Sequence, residues 1–175
     1  MNDRAVVAAQ LGRPPRSVVE VRARCPLDVP VVIAVPPHLD DGTPFPTRYW
    51  LTCPLAVRRI GRIEAAGGVK AAERLLESDE VLLARHQAAT ARYVAERDAL
   101  VAADAPAALP SGGIGGTREG VKCLHAQYAD HAAGNDNPIG ELTAHQIEPL
   151  DCTVPCVVAV DGEVGANPDW VEPSR

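Results

Sequence analysis

Aromatic side chains make up only 3% of this 175-residue chain, with two Trp, three Tyr and one Phe, so any core must be built from Ala, Val, Leu and Ile. Lysine is nearly missing: 15 Arg stand against Lys70 and Lys122 alone. No run of about 18 apolar residues exists, which excludes a membrane-spanning helix as a sequence feature. Met1–Leu11 lacks the apolar stretch of a secretory signal, and a cytoplasmic location is expected. No excess of basic charge is present either. The net charge of -6 argues against a general nucleic-acid binder. What is there is ordinary for a folded domain: 46% hydrophobic and 23% charged residues, which exclude a disordered chain, collagen and a coiled coil. The length suits one domain spanning residues 1–175.

Patterning along the chain predicts an α+β fold, a small mixed or antiparallel sheet covered by several helices. Asn2 or Asp3 caps a helix that ends at Gly12. Ser17–Cys25 alternates, with Val19, Val21, Ala23 and Cys25 on one face and Glu20, Arg22 and Arg24 on the other, as in a half-buried strand. Val29–Val35 reads as a more apolar strand, pairing with the first as an antiparallel hairpin. Arg48–Thr52 is a third short strand. Pro54 opens a helix that Gly67 and Gly68 close. A short helix near Lys70–Glu77 precedes a long one, capped by Ser78 and running to about Ala103, with His86 among charged neighbours at its surface. Ala105–Gly120 reads as a loop, Val121–Ala133 as a helix and Asn135–Gly140 as a turn. Pro155–Val160 is a C-terminal strand of the same sheet. Residues 163–175 form a turn-rich tail.

The five cysteines are Cys25, Cys53, Cys123, Cys152 and Cys156. Their odd number and a reducing compartment argue against a disulfide framework. Thiolates and imidazoles are zinc's preferred ligands, and iron–sulfur clusters need thiolates. No C-x-x-C pair is present, so two readings stand: metal ligands or small buried hydrophobes. The metal reading takes Cys25, Cys53, Cys123 and His125, all at ends of predicted elements. Cys123 and His125 can share an ion only if Cys123 lies where the helix is still irregular. Cys152 or Cys156 is the natural substitute for His125. Cys53, at a helix N-cap, is also a candidate nucleophile with His125 or His131 as base. The run Gly112–Lys122 could cradle an anion through backbone N–H groups, aided by Arg58, Arg118 and Lys122, although it is neither a Walker A loop nor G-x-G-x-x-G. The bland reading of that run is a flexible loop.

Pro46–Pro54 (P-T-R-Y-W-L-T-C-P), Glu64, Gly67-Gly68, Gly113–Gly116, Gly120–Ala126 (G-V-K-C-L-H-A) and Asp136–Gly140 occur in order. Together with Arg24–Pro26, they resemble the bacterial family of domain of unknown function 501, over about residues 18–157. The resemblance implies an actinobacterial type of chain, whose genes lie near those of a septum-formation initiator and an exopolyphosphatase. It implies no reaction. Where the family often reads H-A-H, this chain has His125-Ala126-Gln127. The leading expectation is a cytoplasmic protein with a Cys/His zinc site at Cys25, Cys53, Cys123 and His125, an iron–sulfur cluster being the alternative occupant. Two other functions remain open: an enzyme acting on a phosphorylated or other anionic small molecule, and a non-catalytic protein partner in cell division. Neither nucleic acid nor membrane is an expected partner.

Overall fold

Alternation in the first strand and continuous hydrophobicity in the second dictate how the sheet is placed. The computed structural model describes residues 2–105 and 108–174. Strands β1 (Glu20–Arg24), β2 (Pro30–Ala34) and β3 (Tyr49–Leu51) form an antiparallel sheet in that order. Val21 lies opposite Ile33, and Ile33 opposite Trp50. Side chains of β1 alternate between exposed and half-buried, while all five residues of β2 are buried. The central strand is therefore covered on both faces and the edge strand on one.

Helix α1 (Asp3–Leu11) starts where the Asn2 side chain accepts the Arg4 N–H and stops at Gly12, which takes a left-handed φ of 66°. Helices α2 (Pro54–Ala65), α3 (Gly68–Ser78), α4 (Glu80–Asp98), α5 (Leu124–Ala132) and α6 (Pro138–Ile147) complete the helical part. The main core joins the sheet to these helices through Val32, Leu55, Ile60, Tyr93, Tyr128, Ile139 and Ile147. Strands β4 (Val157–Val160) and β5 (Glu163–Ala166) form a separate antiparallel hairpin, which α1 packs against. Among the described residues, no helix is long and apolar enough to cross a membrane.

The α+β architecture agrees with the sequence pattern, and four details differ. The C-terminal strand does not join the first sheet but pairs with residues expected to be tail. The turn expected at Asn135–Gly140 is instead the start of α6, with Asn137 accepting the Gly140 N–H at 2.9 Å and Pro138 in the first turn. Helix α4 is capped by Asp79, not Ser78, and ends at Asp98. His86 is not a surface residue: it is 4% exposed, and its Nδ1 is buried without a hydrogen-bond partner.

A buried polar network ties α4, α5 and α6 together. Asp130 receives Arg92 at 2.6 Å, Asn135 at 3.0 Å and Asn137 at 2.9 Å, and Asn137 also donates to the Gln127 side-chain oxygen. Close crossing of α5 and α6 depends on Gly140. A Cβ there would stand 2.3 Å from the Gln127 carbonyl oxygen and 2.5 Å from the His131 Cβ.

Gly140→Ala is expected to destabilise the fold by about 1–3 kcal/mol or more, as overpacking does, read as a lower urea midpoint; an unchanged midpoint would contradict the close crossing. A second expectation concerns pH. Burial holds the His86 imidazole below its ordinary value of 6.5, against a weaker pull from the Gly120 carbonyl. The unfolded chain then takes up a proton near pH 6.5 that the folded chain resists. Stability from this group is full above that pH and is lost as the pH falls below it. Denaturation midpoints of His86→Leu between about pH 7 and 5 should fall less steeply than those of the unsubstituted protein; parallel slopes would show that His86 is not shielded from acid.

Candidate metal centre

Helix α5 begins without a good cap of its own. Its N-cap residue is Cys123, with extended backbone (φ −154°, ψ 121°) and no side-chain hydrogen bond to the helix. The acceptor comes from the last turn of α2, where Glu64 Oε1 receives the Leu124 N–H at 2.5 Å. The same oxygen lies 3.2 Å from His125 Nδ1. The other ring nitrogen, Nε2, faces the Val57 carbonyl at 3.1 Å. A carbonyl only accepts, so Nε2 carries a proton. One ligand atom each from Glu64, Cys123 and His125 lies within 4.8 Å of the other two, and all three residues are half-buried. Extended backbone at Cys123 is what lets residues two apart in sequence face one point, which a continuous helix forbids.

The imidazole of His125 is electrostatically unusual. Burial works against its charge, but the Cys123 sulfur, the Glu64 carboxylate and the Val57 carbonyl outweigh burial and lift its pKa to about 9. Metal-free, His125 is an imidazolium held between a carboxylate and a sulfur. A cation in the same position would replace the Nδ1 proton. The Nε2–H bond to a backbone carbonyl is the outer contact that metal-bound imidazoles use to fix tautomer and ring orientation. The residues thus fit a metal ion. Cys123 and His125 line a cavity of about 420 Å³, which Thr47, Trp50, Lys122 and Gly115 also border.

The four-ligand grouping expected from the sequence is divided by the structure. Cys123 and His125 come together and Glu64 joins them, while Cys25 and Cys53 line a different cavity with Cys152 and Cys156. The physical reason is that Cys53 and Cys123 stand at the starts of two different helices, α2 and α5. Cys53 also lacks the features of a nucleophile. It is 6% exposed, and burial pushes its thiol up to about 11 against a weaker opposing pull from the backbone at Leu55 and Ala56. The three cations proposed to bind an anion are likewise spread out. Arg58 lies over the Trp170 ring and near Glu172, Arg118 borders the groove between α3 and α4, and Lys122 borders the Cys123–His125 cavity. The glycine-rich run is close-packed rather than open. A Cβ at Gly113 would stand 2.6 Å from the Thr90 side chain, and buried Arg97 donates to the Gly112 carbonyl at 2.6 Å. Glu64 escaped sequence reasoning as a ligand, because its distance from Cys123 in the chain hides a meeting made by helix packing.

A family model described as a protein of unknown function (DUF501) matches residues 21–145. The chain belongs to the DUF501 family. No curated protein and no solved structure matches it. The DUF501 span contains Glu64, Cys123 and His125 and stops short of Cys152 and Cys156. Gln127, which stands where the family resemblance called for a second histidine, is fully buried and accepts from Asn137, so it belongs to the α5–α6 packing.

Removing the Glu64 charge while keeping its shape tests the cap across the two helices. Glu64→Gln should cost the metal-free protein about 1–2 kcal/mol, the scale of a charge-assisted cap hydrogen bond. Urea unfolding with chelator present reads the loss, and a variant as stable as the parent would remove Glu64 from that role.

Proposed function

We propose that this DUF501 protein binds zinc at Glu64, Cys123 and His125. The observation that carries the reading is the convergence of one oxygen, one sulfur and one nitrogen donor within 4.8 Å, with the histidine's outer nitrogen tied to Val57. A mixed set of thiolate, imidazole and carboxylate suits zinc, whereas magnesium and calcium select all-oxygen shells. Three protein ligands leave a fourth tetrahedral position open, and the neighbouring cavity gives that position access to a small molecule. Lys122 on the cavity wall favours an anionic one, and this supports the second reading, metal-assisted chemistry on an anionic small molecule.

Metal analysis and zinc titration of untagged protein test the proposal. One zinc per chain at this centre is expected, with binding weakened at least about tenfold in Cys123→Ser and in His125→Ala, the minimum for disturbing a metal site. Zinc uptake identical in both variants, or none in the parent, overturns it.

A further inference from the structure

The other four cysteines of the chain meet at one place. Cys25 follows the end of β1, Cys53 precedes α2, Cys152 lies between α6 and β4, and Cys156 immediately precedes β4. All four line a single small cavity whose 13 bordering residues are otherwise mostly apolar. Five cysteines in 175 residues give no reason for four to border one cavity by packing alone. We propose that Cys25, Cys53, Cys152 and Cys156 form a four-thiolate site for a thiophilic metal centre, distinct from the Glu64 group and independent of it.

Hydrogen bonds around the cavity point at sulfur. The Trp170 indole N–H donates to Cys152 Sγ at 3.3 Å, and the Gln10 amide donates to Cys156 Sγ at 3.7 Å. A neutral thiol is a weak acceptor, and such donors are best matched by thiolates, where N–H contacts to sulfur tune a bound metal. Among the described residues, no Lys, Arg or His borders the cavity to balance thiolate charge.

The surroundings hold this arrangement in place. Arg59, 5% exposed, donates to the Ile147 and Pro149 carbonyls at 2.7 Å each and to Asp151 at 2.8 Å, fixing the strap that carries Cys152. Asn167 donates to the Pro155 carbonyl through its side chain and to the Cys156 carbonyl through its backbone. Arg58 covers Trp170, and Glu172 pairs with Arg62, so the tail is pinned to α2. Among the described residues, the Glu64 group is the one set of three or more such ligand atoms within 4.8 Å, so no three of these sulfurs lie that close together. A single tetrahedral zinc would draw its sulfurs to about 3.8 Å from one another. A four-iron cluster binds each thiolate at a different iron and spans a wider gap, and the cavity of about 10 Å³ would have to widen to admit it. Zinc and iron–sulfur share the thiolate chemistry, and the experiment separates them.

Full-length untagged protein, purified without oxygen, would be assayed for iron, acid-labile sulfide and zinc, with its visible spectrum recorded. Iron plus sulfide with visible absorbance identifies a cluster; zinc in a colourless protein identifies a single ion. Either supports the site only if the metal is lost in Cys25→Ser and Cys152→Ser and kept in Cys123→Ser. The Glu64 centre should show the reverse pattern, so the two proposals fail separately. Cobalt titration of the unsubstituted protein needs no variant to fold: two cobalt ions per chain are expected, the thiolate-to-cobalt absorbance exceeding what the single thiolate of Cys123 can supply, with a change in Trp emission as the site beside Trp170 fills. Metal content unaffected by the Cys25 and Cys152 substitutions, or a parent protein that takes up neither iron, zinc nor cobalt with thiolate absorbance, overturns the proposal.

Discussion

A helix start with no cap of its own is the constraint on which the Cys123–His125 region turns. The first N–H groups of α5 would be left unpaired by Cys123, and the carboxylate of Glu64 reaches over from α2 to receive one of them. The negative charge also sits at the positive end of the α5 dipole. Once that contact sets α5 against α2, His125 falls beside the same carboxylate, and the buried face of α5 with Tyr128 and Ala129 enters the core. A carboxylate has two oxygens with several acceptor sites, so a cap and a metal bond need not compete for it. The fold and the candidate centre thus share one side chain, and the local cost of an uncapped helix is offset by a contact that also builds the site.

Few aromatics leave the helical layer short of large interlocking surfaces, and buried polar groups supply part of the specificity. Asp130 is completely buried, yet it is matched by Arg92, Asn135 and Asn137 from neighbouring segments. Asn137 does double duty, capping α6 and bridging Gln127 to Asp130. A satisfied network of this kind is directional where aliphatic packing is not, and it fixes how α6 lies on α5. Gly140 then permits the backbones to approach.

What the sequence made legible was local. Alternation in Val19–Cys25, the Asn2 cap and Pro54 at a helix start each act within a few residues, and β1, α1 and α2 lie where those signals put them. Helix α6 was readable in principle from Asn137 followed by Pro138, but D-N-P-I-G carries equally strong turn chemistry and the helical stripe behind it is short. The burial of His86 could not be read, because α4 is nearly as polar on one side as on the other and the groove over His86 is made by α3 and residues 117–120. The grouping of cysteines was the least legible. Ligand types were visible, but which thiols share a site depends on where Arg59 and Asn167 pin the segment after α6.

The two proposed centres differ in ways that follow from their donors. Glu64, Cys123 and His125 supply a mixed set that leaves coordination open beside a cavity large enough for a small molecule. Such a set suits a metal that meets a ligand. The four cysteines supply sulfur alone, around a small cavity otherwise lined mostly by Leu, Pro and Val, where a closed shell suits a structural or electron-carrying centre. The open centre lies within the DUF501 span, while the closed one takes two of its four thiols from beyond residue 145. A metal there would tie the C-terminal strap, otherwise held by Arg59, Asn167 and the Glu172 ion pair, to β1 and to the start of α2. Cys53 is the hinge between the two, since the helix it opens at one end carries Glu64 at the other. Ordering of the thiolate site would therefore reach the Glu64 cap through a single helix of 12 residues, about 18 Å long at 1.5 Å per residue.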